Sequence, residues 1–127
     1  MLNLGYVLEE TAKNYPDITA IILDQIKINF SKLNKYSNRV ANILKQKGLK
    51  KGDKVALMIP NLPYFPIVYY GILKAGGVVV PVNVLYQKME IEHYIRDSEA
   101  VTFFVYQGCS EEAIKAFQSV DSCKNLI

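Results

Sequence analysis

The sequence predicts an α/β fold, a parallel sheet layer with helices on both faces and a short N-terminal β-hairpin. The main observation lies between residues 52 and 83, where an apolar run, a proline turn, a long apolar segment, a double glycine and a β-branched run follow one another. That order indicates strand, helix, strand. The helix is long enough to cross back over a sheet, so we expect the two strands to be parallel, with a right-handed connection. The apolar run at 101–106 predicts a further buried strand.

Helices and a hairpin are predicted before residue 50. Apolar residues from 2 to 15 recur at helical spacing, and Pro16 follows them as a stop signal. The runs at 19–23 and 26–30 are separated by two polar residues and indicate a hairpin. Ser31 is the predicted N-cap of a second helix, which we expect to end at Gly48.

The central helix is the most apolar element of the chain. Apolar residues occupy nearly all of its sides from Leu62 to Leu73, which is typical of a helix that is buried on more than one side. In a domain of this size one of those sides can lack a covering layer. We therefore expect an exposed apolar patch or a partner surface on this helix, with self-association through it as one consequence.

The C-terminal part predicts two more helices and the opening of a strand. Residues 87–96 indicate a short helix that ends near Asp97, and Ser110 is the predicted cap of a last helix that runs to about Val120. Residues 124–127 resemble the beginning of another strand. We expect one domain over residues 1–127, and because domains seldom end partway through a parallel-strand pattern, we expect it to be a fragment of a longer protein.

Composition and charge exclude several classes of function. The 127 residues are 50% hydrophobic and 21% charged, as in ordinary globular domains, and the net charge is only +3. The densest basic stretch, 45–51, lies at a predicted helix end without interleaved aromatic residues, so we expect no nucleic-acid binding. The N-terminus lacks the basic start of a signal peptide. No apolar run reaches the roughly 18–20 residues of a membrane helix, so no transmembrane segment is expected.

The two cysteines indicate the compartment. Cys109 and Cys123 match neither the spacing of a zinc site nor that of a redox CxxC motif. They are expected to be reduced thiols of a cytoplasmic protein.

The residues themselves predict no catalytic, cofactor-binding or metal-binding site. The glycines of residues 71–77 close a helix and precede a strand, whereas a phosphate loop follows a strand and opens a helix. His93, the only histidine, has no serine or cysteine at a motif spacing. Asp53, Asp97 and Glu99 are scattered carboxylates that define no acid–base pair.

Four stretches in order carry a family resemblance. They are INFSKL at 28–33 with SNRVA at 37–41, KGDKVA at 51–56, the PN-x-P-x-F pattern at 60–65, and LKAGGVVVPVN at 73–83. Through them nearly the whole chain resembles the N-terminal portion of an acyl-CoA synthetase of the long-chain fatty-acid type, in the AMP-binding, adenylate-forming superfamily. Lys32, Tyr64 and Pro66 depart from the family pattern.

The residues carried over from the resemblance are structural. They are Gly52, Asp53, Pro60, Asn61, Lys74, Ala75, Gly76, Pro81 and Asn83. Peptide-synthetase relatives more often carry Asp at the position of Asn83, so this residue favours an acyl-CoA ligase. The resemblance also places the chain in the large N-terminal domain of the parent enzyme.

The resemblance implies a two-step ligase reaction for that parent. A carboxylate attacks the α-phosphorus of ATP to give an acyl-adenylate and pyrophosphate, and the thiol of coenzyme A then displaces AMP, with Mg²⁺ stabilising the phosphate charge. ATP, Mg²⁺ and coenzyme A are thus implied as its cofactors, a fatty acid as its substrate and the rest of the parent as the partner of this chain. The parts that carry this chemistry in the family lie beyond Ile127, so we expect the chain alone to be inactive.

Two alternatives remain open at this point. One is another adenylate-forming enzyme that acts on an aryl acid or an amino acid. The other is a free-standing interaction module that kept the fold and lost the chemistry.

Overall fold

The computed structural model describes residues 3–127 and divides them into five α-helices, one short 3-10 helix and six strands. In chain order they are α1 (Leu4–Asn14), β1 (Thr19–Leu23), β2 (Ile26–Asn29), α2 (Phe30–Gln46), β3 (Lys54–Met58), α3 (Tyr64–Lys74), β4 (Val78–Pro81), α4 (Lys88–Ser98), β5 (Thr102–Val105), the 3-10 helix (Gln107–Cys109), α5 (Ser110–Gln118) and β6 (Asn125–Leu126). Every predicted helix and strand is present, with ends shifted by a few residues. Leu2, which we placed in the first helix, lies outside the described residues.

The main sheet has four parallel strands in the order β4-β3-β5-β6. The predicted parallel pairing of β3 with β4 is confirmed, with Val55 opposite Val79 and Leu57 opposite Pro81. Helix α3 connects β3 to β4, α4 connects β4 to β5, and α5 connects β5 to β6.

Helices cover both faces of this sheet, as predicted, because successive side chains of a strand point to opposite faces. On one face, Val55, Leu57 and Phe104 pack against residues of α2 and α3, including Leu44 and Ile72. On the other face the packing is against α4 and α5. The buried residues there are Ala56, Met58, Phe103, Ile91, Ile95, Ala113 and Ala116.

The N-terminal hairpin is a separate, antiparallel two-stranded sheet. Asp24 makes its turn with a φ of 53°, a left-handed conformation that Asp tolerates better than most residues. A small cluster of Leu8, Ile28 and Leu33 fixes the hairpin to α1 and α2, with Ile67 and Tyr70 of α3 packed against it. This packing is needed because a lone hairpin is only marginally stable in water.

The two predicted serine caps are wrong. Helix α2 begins at Phe30, two residues earlier than a cap at Ser31 would place it. Its cap is Asn29, whose Oδ1 accepts a hydrogen bond of 2.8 Å from the N–H of Lys32. Ser110 is already the first residue of α5, and its hydroxyl donates to the carbonyl of Gln107 at 2.8 Å.

Helix α3 is covered more completely than its sequence suggests. It packs against α1 and α2 as well as β3 and β4. Among the residues that the structure describes, the only exposed large hydrophobic side chain of α3 is that of Tyr64, at 56% exposure. Pro66 occupies the first turn, where a backbone N–H would have no partner within the helix. The exposed apolar surface of α3 is therefore confined to its N-terminal end. No helix of residues 3–127 has the length and apolar character that a membrane span requires.

Candidate functional site

The carboxyl ends of β3 and β5 form the topological switch point of the sheet. The chain leaves β3 toward α3 on one face and leaves β5 toward α5 on the other. Open α/β sheets bind ligands in the crevice that such diverging connections create. Residues 59–64 follow β3 at this point, and Tyr106 follows β5.

An apolar groove of about 550 Å³ opens beside this switch point, and we call it the hairpin groove. Its walls come from the hairpin, from α2, from the start of α3 and from the end of β5. The lining residues are Leu23, Ile26, Ile28, Tyr36, Leu62, Pro63, Tyr64, Ile67 and Tyr106. None of them carries a charge, so the groove offers apolar contact and three tyrosine hydroxyls.

Two aromatic contacts shape the hairpin groove. The rings of Tyr64 and Tyr106 stack with 6.2 Å between their centroids, which joins the start of α3 to the end of β5. On α2, the guanidinium of Arg39 lies 5.6 Å from the ring centroid of Tyr36, within the range of a cation–π contact.

The glycine–aspartate pair before β3 builds a tight turn. Gly52 has a φ of 89°, and its N–H donates to the carbonyl of Gly76 at 2.8 Å. Asp53 Oδ2 accepts a hydrogen bond of 2.9 Å from the N–H of Lys50. Asp53 also accepts, through its carbonyl, the N–H of Val78 at 2.8 Å. These bonds bring the beginnings of β3 and β4 together.

The double glycine after α3 ends that helix. Gly76 has a φ of 86°, and its N–H bonds to the carbonyl of Leu73, while the N–H of Gly77 bonds to the carbonyl of Ile72. This pair of bonds is the Schellman motif, with Ala75 as the C-cap. The N–H groups of both glycines are therefore bonded to carbonyls of α3. A phosphate loop instead presents N–H groups to the phosphate at the start of a helix, so this turn is not one.

Lys74 joins three helices at the end of α3. Its ammonium group donates to Asn34 Oδ1 at 2.5 Å and to Asn38 Oδ1 at 2.8 Å, both on α2. It also lies 3.3 Å from Glu9 Oε1 on α1. The Lys74 side chain is only 6% exposed, and its charge at the C-terminal end of α3 is favoured by the helix dipole. These three contacts are all with side chains of α1 and α2.

The remaining residues from the resemblance lie at or just after the carboxyl ends of β3 and β4. The carbonyl of Pro60 accepts the N–H of Leu62 at 2.7 Å, next to the exposed Asn61. Pro81 ends β4, an edge strand that tolerates a missing N–H. Asn83 Oδ1 accepts the N–H of Leu85 at 2.9 Å and so orders the loop after β4.

Elsewhere in residues 3–127, the titratable groups do not assemble a reactive centre. Burial raises the pKa of Cys123 to about 11, which keeps its thiol protonated and unreactive at neutral pH. The hydrogen bond that Tyr86 donates to Tyr94 raises the pKa of Tyr86. His93 is exposed on α4, edge-on to Tyr94 with 5.7 Å between ring centroids.

The residues described do not fit ATP, Mg²⁺ or coenzyme A. Within residues 3–127, His, Cys, Asp and Glu side chains form no group of three or more that could hold a metal ion. The one glycine-rich turn closes a helix, and the groove at the switch point carries no charge in its lining. No step of a reaction can be assigned to these side chains.

Sequence reasoning missed the hairpin groove. Its walls come from four segments that are far apart in the chain, and only folding brings them together. The available signal was the aromatic and proline-rich stretch directly after β3, combined with a tyrosine directly after β5, because both positions fall at the carboxyl edge of a parallel sheet.

Comparison with protein families gives a match to the AMP-binding enzyme model over residues 8–126. Among curated proteins, the long-chain-fatty-acid–CoA ligase of Bacillus subtilis is 38% identical over 112 residues, which are 88% of this chain and 20% of that protein. The long-chain-fatty-acid–CoA ligase of Salmonella typhimurium is 43% identical over 104 residues, 81% of this chain and 18% of that protein. The chain thus spans about a fifth of the length of these relatives.

Solved structures give the same fold. The alignment with a fatty acyl CoA synthetase of Mycobacterium tuberculosis covers 98% of this chain and 26% of that protein, with a TM-score of 0.90 and 27% identity. The N-terminal domain of FACL13 from the same organism matches 100% of this chain and 34% of its own, with a TM-score of 0.90 and 28% identity.

Proposed function

The chain belongs to the AMP-binding enzyme family, and on that premise we propose that it is the N-terminal scaffold of an ATP-dependent fatty-acid–CoA ligase. The reaction of the whole enzyme converts a fatty acid, ATP and coenzyme A to acyl-CoA, AMP and diphosphate. One observation carries the proposal: relatives that are 38% and 43% identical over most of this chain are named long-chain-fatty-acid–CoA ligases.

In this proposal the 127 residues supply structure and no chemistry. Gly52, Asp53 and Gly76 hold the starts of β3 and β4 together, and Lys74 holds α3 to α1 and α2. We assign the same supporting role to the other residues taken from the resemblance, Pro60, Asn61, Ala75, Pro81 and Asn83. The chain alone is inactive, and ATP, Mg²⁺ and coenzyme A bind to parts of the enzyme outside it.

The proposal also covers the organisation and location of the enzyme. We place residues 1–127 as one domain-sized piece of the large N-terminal domain, with the rest of the enzyme as its partner. The cytoplasm is the proposed compartment, because Cys109 and Cys123 are both free thiols.

A panel of acids tests the substrate class. The polypeptide encoded by the complete reading frame that contains these residues is incubated with ATP, Mg²⁺, coenzyme A and either palmitate, benzoate or an amino acid, and AMP formation is measured. We expect AMP formation with palmitate. AMP formation only with benzoate, or only with the amino acid, would mean that the substrate is an aryl acid or an amino acid instead of a fatty acid. No AMP formation with any of the acids would favour a non-catalytic module.

A further inference from the structure

We propose that a cleft between the start of α1 and the end of α2 is a docking site for an acidic segment of a partner protein. We call it the lysine cleft, because Lys45, Lys51 and Lys74 line it together with Tyr6. It lies at the amino edge of the sheet, near the start of β3, and thus at the edge opposite the switch point. The proposal is independent of the proposed ligase function, since its tests measure binding and not turnover.

The first argument is the distribution of charge along the chain. Residues 45–54 contain five of the 15 Lys and Arg residues but only one of the 12 Asp and Glu residues, so 10 basic and 11 acidic residues remain elsewhere. The net positive charge of the chain therefore lies in this one segment. All five lysines are exposed, and none of them forms an ion pair within residues 3–127. Such a concentration of like charge attracts an oppositely charged partner.

Helix dipoles account for only part of this charge. A cation in the last turn of a helix is favoured, which explains Lys45 on α2. Lys50, however, lies in the loop before β3, and Lys54 is the first residue of that strand. The one carboxylate of the segment, that of Asp53, accepts the backbone N–H of Lys50. The lysine charges are thus left to solvent or to a partner.

The second argument is the concave shape of the surface. Two adjoining cavities of about 260 and 340 Å³ form the lysine cleft. Both are lined by Asn3, Tyr6, Lys45 and Lys74. A Cβ atom on Gly76 would lie 3.6 Å from Lys51 Cγ, so the stem of this lysine packs against the backbone at the cleft wall. A cleft of this kind accepts side chains that project from another protein.

Two ammonium groups of the cleft are available to such side chains. Lys74 already bonds three side chains, one of which belongs to Glu9, the only carboxylate among the described residues of the lining. Lys45 and Lys51 form no ion pair within residues 3–127. Tyr6, at 57% exposure, adds an aromatic ring and a hydroxyl group to the lining, a combination that is enriched at protein interfaces.

The chemistry of the cleft favours a protein over a nucleic acid or a lipid surface. Tyr6 is the only aromatic residue among the described residues that line it, whereas single-stranded nucleic acids stack on successive aromatic side chains. The basic residues of 45–54 are all lysines, although arginine is preferred for phosphate recognition. Helices that bind a membrane surface bury a row of large apolar side chains in it, and the described lining has none besides Tyr6. Carboxylates of an acidic protein segment match isolated lysine charges.

Binding of an acidic peptide tests the proposal. The probe is a fluorescent peptide of Glu, Asp and Leu, and the reference is the same peptide with Gln and Asn in place of Glu and Asp. Fluorescence anisotropy is measured with the polypeptide encoded by the complete reading frame that contains these residues. We expect saturable binding of the acidic peptide alone, weakened on the order of tenfold between about 50 and 500 mM salt because salt screens the charges. No saturable binding, or equal binding of the two peptides, would overturn the proposal.

A matched pair of double variants tests the role of the two free lysines. The variant with Lys45→Gln and Lys51→Gln should bind the acidic peptide roughly fivefold more weakly, the combined effect of two exposed ion pairs. The variant with Lys32→Gln and Lys35→Gln loses the same charge at exposed positions of α2 outside the cleft, and its affinity should change little. Equal effects of the two double variants would indicate general attraction to a basic chain and overturn the proposal.

A pair of tyrosine variants tests the location without any change of charge. Tyr6→Ser should weaken binding of the acidic peptide several-fold, because tyrosines in protein interfaces contribute strongly to affinity. Tyr15, also 57% exposed, lies outside the cleft, so Tyr15→Ser should leave the affinity unchanged. Circular dichroism shows that each variant is folded. Equal affinities of the two variants would contradict docking at this cleft.

The rival partners give different results. Saturable binding of a single-stranded oligonucleotide, or of phosphatidylglycerol vesicles, at a lower concentration than the acidic peptide would assign the cleft to that partner and overturn the proposal. A polypeptide that binds the acidic peptide through the lysine cleft but forms no acyl-CoA would support docking and refute the proposed function. The two failures are therefore distinguishable.

Discussion

Lys74 Nζ at the end of α3 donates a hydrogen bond of 2.8 Å to Asn38 Oδ1 on α2. The same ammonium group reaches Asn34 on α2 and Glu9 on α1. One largely buried cation therefore fixes the relative positions of three helices. Burying such a charge is favourable only when it is paired and hydrogen-bonded, as it is here.

Replacement of Lys74 tests this junction. We expect Lys74→Met to lower the free energy of unfolding by about 2 kcal/mol, because hydrogen bonds to a charged group contribute on the order of 1.5–3 kcal/mol. Urea denaturation followed by circular dichroism measures the change. Lys47→Met, at an exposed position just after α2, is the control and should change stability by less than about 0.5 kcal/mol. Equal effects of the two substitutions would contradict the role of Lys74.

A close approach of α2 and α3 at Gly71 gives a second prediction. A Cβ atom on Gly71 would lie 2.5 Å from Val40 Cβ and Cγ1 and 3.0 Å from the carbonyl oxygen of Ser37. We expect Gly71→Ala to destabilise the chain by about 1–3 kcal/mol, as overpacking does. Val40→Ala removes Cγ1 but keeps Cβ, so adding it to Gly71→Ala should relieve one of the two close contacts with Val40. The double variant should therefore lose less stability than the sum of the two single losses. If the double variant loses as much unfolding free energy as the two single variants together, or more, Val40 is not the clashing partner.

The cap of α2 gives a third prediction. Asn29 Oδ1 accepts the N–H of Lys32, whereas Ser31 lies inside the helix. Asn29→Ala should cost about 1 kcal/mol of stability, the typical loss for an N-cap. Ser31→Ala, two residues away and exposed, should cost less than about 0.5 kcal/mol. Thermal unfolding of the two variants compares them, and the reverse order would restore Ser31 as the cap.

The buried thiol of Cys123 gives a fourth prediction. Burial raises the pKa of Cys123 from 9.0 to about 11, so the folded chain holds the thiol proton more tightly than the unfolded chain. This contribution to stability is complete below pH 9 and is lost as the pH rises through about 11.

Reaction with a thiol reagent at pH 8 measures the effect. Two pKa units lower the thiolate fraction about a hundredfold, so a Cys109→Ser variant, which retains only Cys123, should react on the order of a hundredfold more slowly than the same variant unfolded in urea. Cys123→Ala, which retains the half-buried Cys109, is the comparison. A fast reaction of Cys123 in the folded chain would refute its burial.

The order of elements and the layered fold were predictable because both depend on local patterns. Apolar runs of four to six residues and a helix-length apolar segment fix β3, α3 and β4 whatever surrounds them. The helix caps were harder to predict. Asn29 and Ser31 are both good caps by residue type, and the hairpin that ends at Asn29 decides where α2 begins.

The hairpin groove could not be predicted because its walls meet only through tertiary packing. Tyr36 lies in α2, Tyr64 begins α3 and Tyr106 follows β5. Each of them looks like a core residue in its own stretch. Tertiary packing also explains why the sequence led us to expect more exposed apolar surface on α3 than the structure shows. The sequence did not reveal that α1 packs along it.

Formation of palmitoyl-CoA from palmitate, ATP and coenzyme A tests the central claim most directly. The isolated 127-residue chain and the polypeptide encoded by the complete reading frame are assayed side by side. We predict palmitoyl-CoA and AMP from the longer polypeptide and none from the isolated chain. Turnover by the isolated chain, or a folded longer polypeptide that forms no palmitoyl-CoA, would contradict the assignment of this chain as the scaffold of a fatty-acid–CoA ligase.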